Sequence, residues 1–277
     1  MGPWLFSGRR LPLQNLWAEQ TLPEDMPWAM LPINQYYLLL LVALLTVGGL
    51  LAGLAGHLIR APRWAVHVGV LVIQGVAAVQ SLMVVAGGLN TADTRAQIYL
   101  SAMTSVVLFG MALTHMVIWL ILRNGRASTA IAVGLAAFPI TEWITEWFRL
   151  AAGPIGAPVE VTTWMPWLPA LIAGVALGWC GWRPPSRLTA WVLNLLVLWL
   201  GSALITAVQM VAGSRAILGR GAEAVTAFVD FLLAGLGPAG TGLYLLLAAL
   251  AIALIVFALR TVWFRHRNQS GPNPRGR

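Results

Sequence analysis

Long runs of apolar residues, separated by short polar joints, recur along almost the whole chain. Each run predicts a membrane-spanning helix, because crossing the hydrocarbon core takes about 20 mainly apolar residues. The seven predicted spans are 36–58, 65–88, 98–122, 129–150, 165–182, 188–213 and 241–263. The pattern therefore predicts an all-α polytopic membrane helix bundle that occupies residues 35–263.

Three segments fall outside these spans. Residues 222–236 are apolar but too short to cross a bilayer, which predicts an interfacial or re-entrant helix. Residues 1–34 alternate apolar and acidic positions. We expect an extracytoplasmic amphipathic segment there, lying along the membrane surface or touching a partner. Residues 264–277 are polar and arginine-rich, which predicts a disordered cytoplasmic tail attracted to anionic lipid.

Composition supports a membrane protein and excludes several kinds of chemistry. Only 9% of the 277 residues are charged, against roughly 25% in soluble domains, so no soluble domain is expected. All 17 basic residues are arginine. The absence of lysine excludes a covalently bound retinal, and the preference for arginine is typical of a GC-rich bacterial genome. A single cysteine, Cys180, leaves no partner for an intrachain disulfide.

The arginines predict the orientation of the bundle. The joints after the first, third and fifth spans and the C-terminal tail, together with Arg260 near the end of the last span, hold eleven arginines and no acidic residue. Such joints face the cytoplasm in most membrane proteins. We therefore expect a multi-pass protein of the plasma (inner) membrane, with its N-terminus outside and its C-terminus in the cytoplasm. This distribution also accounts for the net charge of +8, so nucleic acid is not an expected partner.

The spans suggest an internal repeat. Residues 60–87 and 183–213 both run from an arginine-proline joint to Ala-Val-Gln and then to Val-Ala-Gly. The first and fifth spans share the phrases "LLAGLAG" and "LIAGVALG", and Trp119 and Trp263 occupy matching places near the ends of the third and seventh. These matches predict a 3+1+3 plan of parallel triplets, with the fourth span as the inverting linker. Transporters with parallel repeats bind their substrates between the repeats.

The fourth span contains the phrase "FPITEWITEWFRL", with two glutamates inside an apolar helix. At 1.5 Å per residue, Glu142 lies only about 4 Å from the midpoint of the span and Glu146 about 10 Å from it. Their spacing places both carboxylates on one helix face, flanked by Thr141 and Thr145. Arg149 is close enough to pair with Glu146. Pro139 removes a backbone donor and predicts a kink.

Glu142 has a functional and a structural interpretation. A charged carboxylate near the bilayer centre costs on the order of 3 kcal/mol, so it must face protein or water, or stay protonated. It is then a proton- or cation-coupled site, or a receptor for a cationic substrate. Alternatively, Glu142 has a structural role as polar glue, which means that it holds two helices together by a hydrogen bond to an amide side chain of a neighbouring span. The candidate partners are Gln74, Gln80, Asn194 and Gln209.

Other chemistry finds little support in the sequence. His67 and His115 are both predicted in the cytoplasmic half, but at depths several ångström apart, which argues against a paired haem or metal site. There is no His-Glu-x-x-His motif, no Gly-x-Ser-x-Gly elbow and no phosphate-binding glycine loop. We expect a protein that is not an enzyme and that needs no cofactor or metal.

Two functions remain open. The small size and short loops favour a membrane-embedded subunit of a larger envelope complex, with other membrane subunits or copies of itself as partners besides the lipid bilayer. The alternative is a small-solute or ion transporter coupled to protonation of Glu142, which the possible repeat, the intramembrane acid and Pro139 favour.

Overall fold

A computed structural model of the chain describes residues 2–12, 17, 21–90, 92–153, 158–214 and 220–269. Within these ranges the chain is helical, and the α-helices are numbered here in chain order. They are α1 (Gly2–Phe6), α2 (Leu38–Leu58), α3 (Arg63–Gly88), α4 (Thr94–Leu122), α5 (Arg126–Leu135), α6 (Ala137–Ala152), α7 (Val159–Trp164), α8 (Leu168–Cys180), α9 (Leu188–Gly213), α10 (Gly221–Leu236) and α11 (Thr241–Gln269).

The long helices agree with the predicted spans. In the described part of the chain, six helical stretches are long and apolar enough to cross a membrane, and the bent pair α5–α6 adds a seventh. The sixth predicted span, 188–213, coincides with α9, and the others differ by a few residues at their ends. The chain is therefore a multi-pass membrane protein folded as an all-α helical bundle.

The last stretch combines two predicted elements. Helices α10 and α11 follow one another with only residues 237–240 between them, and together they form the stretch Gly221–Trp263. At 43 residues this stretch is about 65 Å long, roughly twice the hydrocarbon thickness. Helix α10 packs closely on α9, since a Cβ atom added to Gly235 would lie 2.9 Å from the Cα atom of Ala203. Its interfacial or re-entrant placement stays a prediction.

Glycines bring the first and third helices of each triplet together. In the first triplet, Gly49 and Gly53 of α2 lie against Thr114 and Ile118 of α4. These residue numbers rise together along both helices, so α2 and α4 run parallel. Small residues allow such close approach, which is the main source of helix association inside a bilayer.

The second triplet shows the same kind of contact. Gly174 and Gly178 of α8 lie against Ile252 and Val256 of α11, again with rising numbers and therefore in parallel. The predicted match of Trp119 with Trp263 does not fit this register. Gly53, the sequence counterpart of Gly174, lies against Ile118, which that match would equate with Val262. The shared packing agrees with the 3+1+3 plan, and the repeat itself stays a prediction.

The described parts of the N-terminal segment pack against the bundle, and their position relative to the membrane surface stays a prediction. Five apolar residues of this segment are almost completely buried against α3 and α4: Leu11, Met26, Ala29, Leu31 and Ile33. At the other end of the segment, α1 packs on α6, where the rings of Phe6 and Trp147 are 5.5 Å apart. The described parts of this segment form a folded cap on one end of the bundle.

Candidate functional site

A bend in the linker helix positions the predicted acidic site. Helices α5 and α6 meet at Ala136 with an angle of 48°. Pro139, buried in the first turn of α6, has no N–H to donate to the carbonyl of Leu135, so the α-helical hydrogen-bond ladder is interrupted there. The ladder resumes with Ile140, whose N–H donates to the carbonyl of Ala136 at 2.8 Å. The bend lies where the sequence predicts it.

The two glutamates share one arginine. Arg149 Nη1 donates to Glu146 Oε2 at 3.0 Å, the predicted pair, and also to Glu142 Oε1 at 3.1 Å. The second pair crosses two helical turns and is not predicted from spacing; it forms because the long arginine side chain folds back along α6. The side chains of Glu142 and Glu146 are 16% and 14% exposed, whereas the side chain of Arg149 is 50% exposed. We call these three residues the Glu142 cluster.

The two faces of α6 have different surroundings. The tryptophan face, Trp143 and Trp147, is covered by the N-terminal cap through Trp4 and Phe6. The neighbouring polar face carries the Glu142 cluster and two threonines, and Thr141, Glu142, Thr145 and Arg149 of this face border open space. Thr141 and Thr145 donate their hydroxyl protons to the carbonyls of Ala137 and Thr141, at 2.9 and 2.8 Å. The repeated sequence "ITEWITEW" therefore gives α6 a tryptophan face and a polar face, each of which extends over two turns.

A cavity of about 900 Å³ lies against this polar face. Its walls come from α2, α6, the α7–α8 region, α9 and α11, so it joins the linker helix to the second triplet. The polar residues that line it are Thr141, Glu142, Thr145, Arg149, Thr162, Thr163, Ser202, Thr206, Gln209, Thr241 and Tyr244. The apolar part of the wall includes Phe138 and Trp167.

Of the four predicted amide partners, the structure brings only Gln209 to this cavity. Gln74 instead donates to the carbonyl of Leu45 at 3.1 Å and to Thr114 Oγ1 at 3.4 Å, within the first triplet. Asn194 donates to the carbonyl of Ala130 at 3.2 Å and ties α9 to α5. These two amides are glue between helices, as the structural interpretation proposes, but they do not contact Glu142.

Gln80 has a different role, because it holds the N-terminal cap. Its Oε1 atom accepts a hydrogen bond from the N–H of Met30 at 2.9 Å, and its Nε2 atom donates to the carbonyl of Trp28 at 3.2 Å. The neighbouring Ser81 Oγ accepts from the N–H of Leu31 at 2.8 Å. Gln80 therefore anchors the N-terminal segment, whereas Gln209 lines the cavity at the second triplet.

The expected separation of His67 and His115 is wrong. Their Nδ1 atoms are 3.0 Å apart and their rings are stacked. The depth estimate treated the helices as upright, but the 29 residues of α4 measure about 44 Å and must tilt or protrude in a hydrocarbon layer of about 30 Å. In the ranges that the structure describes, no group of three or more His, Cys, Asp or Glu side chains is placed to hold a metal ion.

Sequence reasoning missed most of the hydroxyl groups in the cavity wall. Thr162 and Thr163 lie on the short helix α7, Thr206 on α9 and Thr241 at the start of α11. The sequence signal for these threonines is weak. Each lies at or near the end of a predicted span that is on the same side of the membrane as the end of α6 that carries the glutamates. Comparisons of this chain with protein-family models, curated proteins and solved structures find no match.

Proposed function

We propose that this multi-pass protein is a non-catalytic carrier of a small solute in the plasma membrane, coupled to protonation of Glu142. The observation that supports it is the cavity of about 900 Å³ against the Glu142 cluster. This volume falls within the range of small-molecule sites, which is about 300–1,000 Å³. An ionisable residue that faces a cavity inside a membrane bundle marks a substrate or proton path by default.

The surroundings of the cavity favour transport over a purely structural role. The site adjoins the break between α5 and α6, and broken helices commonly form the binding sites of carriers. The cavity lies between the linker helix and the second triplet, so a relative movement of these parts would change access to it. Glu142 bonds to Arg149 on its own helix, whereas Gln74, Asn194 and Gln80, which the glue interpretation offers as its partners, bond elsewhere.

Proteoliposomes that contain only the purified chain test this proposal. A trapped pH-sensitive dye reports proton movement when solutes from a panel of amines, sugars, amino acids and carboxylates are added outside. We expect at least one solute to move protons through the wild-type protein. Glu142→Gln should reduce this movement to that of protein-free vesicles, because the substituted amide cannot carry a proton.

Glu223→Gln is the matched control. Glu223 also pairs with an arginine three residues away, Arg220, but both side chains are more than half exposed and neither lines the cavity. This variant should move protons as the wild type does. Equal proton movement by wild type and Glu142→Gln would contradict the proposed role of Glu142.

A subunit of a larger envelope complex is the second candidate. The observation that favours it is a set of exposed large apolar side chains on α1 and α7, where Phe6 is 74%, Val159 76% and Trp164 69% exposed. Such a surface suits a membrane interface or a partner protein. This function predicts that vesicles with the purified chain alone move no protons with any solute of the panel.

A further inference from the structure

The hydroxyl groups of the cavity wall restrict what the cavity can bind. Five of them already donate their protons to carbonyl groups of their own helices: Thr141, Thr145, Thr162, Thr163 and Ser202. A hydroxyl that donates to the backbone still offers the lone pairs of its oxygen. This part of the wall is therefore rich in acceptors, which suits a ligand that carries N–H donors.

The charges of the cavity favour a cation. The Glu142 cluster has two carboxylates and one guanidinium, so it carries one net negative charge when both acids are ionised. Arg149 uses Nη1 for both carboxylates, and the second oxygen of each carboxylate has no hydrogen-bond partner among the described residues. A single negative charge inside a membrane is costly unless it is compensated. One bound proton or one monovalent cation restores neutrality.

No other ionisable group of the described wall alters this balance. Tyr244 on α11 lines the cavity, while the lining residues from α2, α7, α8 and α9 carry no acid or base. Helix α1, which packs on α6, has no ionisable side chain. Glu160 on α7 is exposed and lies outside the lining. Glu146 also lies outside the lining, but it shares Arg149 with Glu142, so the ionic chemistry of the cavity is that of the Glu142 cluster.

The apolar wall indicates the form of the cation. Phe138, Trp167 and Tyr244 line the cavity, and aromatic faces attract organic cations. A bare alkali ion would need a compact cage of oxygens, whereas this cavity has about 900 Å³. We infer that the cavity binds a protonated organic amine, and that the amine replaces one proton held by the Glu142 cluster.

This inference rests on the proposed carrier function and adds its substrate class. In the exchange, one carboxyl O–H bond breaks, its electron pair stays on the carboxylate oxygen, and the proton passes to water. The ammonium group then donates N–H hydrogen bonds to Glu142, the carboxylate of the cluster that lines the cavity. The charge of the site is the same before and after the exchange, so no charge remains uncompensated in the bilayer.

Calorimetry on the purified protein in mild detergent tests the substrate class with three probes of similar shape. Benzylammonium is the cation, benzyl alcohol its neutral analogue and benzoate the anion. We expect benzylammonium to bind at least roughly 30-fold more tightly than the other two, as the loss of a buried charge partner implies. A weakly buffered solution at neutral pH should gain about one proton per bound benzylammonium.

Variants of the cluster separate charge balance from folding. Glu142→Gln and Glu146→Gln each leave one acid and one arginine, which are neutral together, so benzylammonium affinity should fall by roughly 30-fold or more. The double variant Glu146→Gln/Arg149→Gln leaves one acid alone and restores the single negative charge. It should regain binding and proton release, a rescue that a merely structural role would not produce. Glu223→Gln should bind as the wild type does.

The results that overturn the inference differ from those that overturn the carrier. Three results would each contradict an amine as the ligand. They are binding of benzyl alcohol or benzoate as tight as that of benzylammonium, binding of the amine without proton release, and a double variant that does not regain binding. If a neutral or anionic solute drives Glu142-dependent proton movement in vesicles, the proposed carrier function holds and the proposed amine substrate is wrong. If no probe binds and no solute moves protons, both proposals fail.

Discussion

Gly178→Ala should destabilise the bundle by roughly 3 kcal/mol or more, which is the upper range for overpacking a well-packed site. The added Cβ atom would lie 2.8 Å from the carbonyl oxygen of Ala253 and 2.6 Å from the Cβ atom of Val256. Neither neighbour is the end of a flexible side chain, so α8 and α11 must move apart. Thermal unfolding in mild detergent measures the effect.

Gly75→Ala is the control for this substitution. Gly75 lies within α3, and nothing lies within 4 Å of a Cβ atom added there. Since alanine favours a helix over glycine by about 1 kcal/mol, this variant should be equally or more stable than wild type. Equal stability of wild type and Gly178→Ala would contradict the backbone contact between α8 and α11. That contact also matters for the site, since both helices contribute to the cavity wall.

Leu31→Ala should lower the free energy of unfolding by about 2–5 kcal/mol, the usual range for truncating a buried leucine. Leu31 is 0% exposed and packs in the largest apolar cluster, with residues of α3 and α4. Its backbone N–H is held by Ser81, so the segment cannot easily collapse into the space that the lost atoms leave. Chemical or thermal unfolding of the purified protein gives the value.

Leu22→Ala separates this effect from a general sensitivity of the N-terminal segment. Leu22 belongs to the same segment but is 59% exposed. Its truncation should change stability by less than about 0.5 kcal/mol. If both leucine variants were neutral, the N-terminal segment would not be a packed cap on the bundle.

The spans could be predicted because membrane helices obey one strong local rule. A run of apolar residues must satisfy its own backbone hydrogen bonds inside lipid, which makes it helical whatever its neighbours are. That rule located α9 and, with small shifts at the ends, the other long helices. The bend at Ala136 was also predictable, because the missing N–H of Pro139 acts within its own helix.

Contacts between segments that lie far apart in the sequence were harder to predict. The role of Gln80 depends on the path of the N-terminal segment, and no local pattern shows that this segment folds back onto α3. The pairing of His67 with His115 depends on helix tilt, which span boundaries do not give. The Glu142 cluster was predicted in part: the helical period places Glu146 next to Arg149, but the fold of the arginine side chain back to Glu142 lies beyond spacing rules.

The cavity was the least predictable feature, because five parts of the chain build it. Glu142 and the neighbouring threonines could be named from one helix, whereas Thr206 and Tyr244 join them only through the packing of α9 and α11 against α6. A polar residue near the end of an apolar span is common, so these residues gave no distinctive signal in the sequence.

The most direct test of an open solute site is the reactivity of a cysteine placed in the cavity. Thr145→Cys, with Cys180→Ala, puts a thiol of similar size in the wall beside Glu142. Maleimides react with the thiolate, which needs water around it. An impermeant maleimide should label this cysteine in intact cells, whereas the native Cys180, which is 0% exposed, should stay unlabelled. No reaction at Thr145→Cys, either in intact cells or in opened membranes, would contradict a cavity that admits solute.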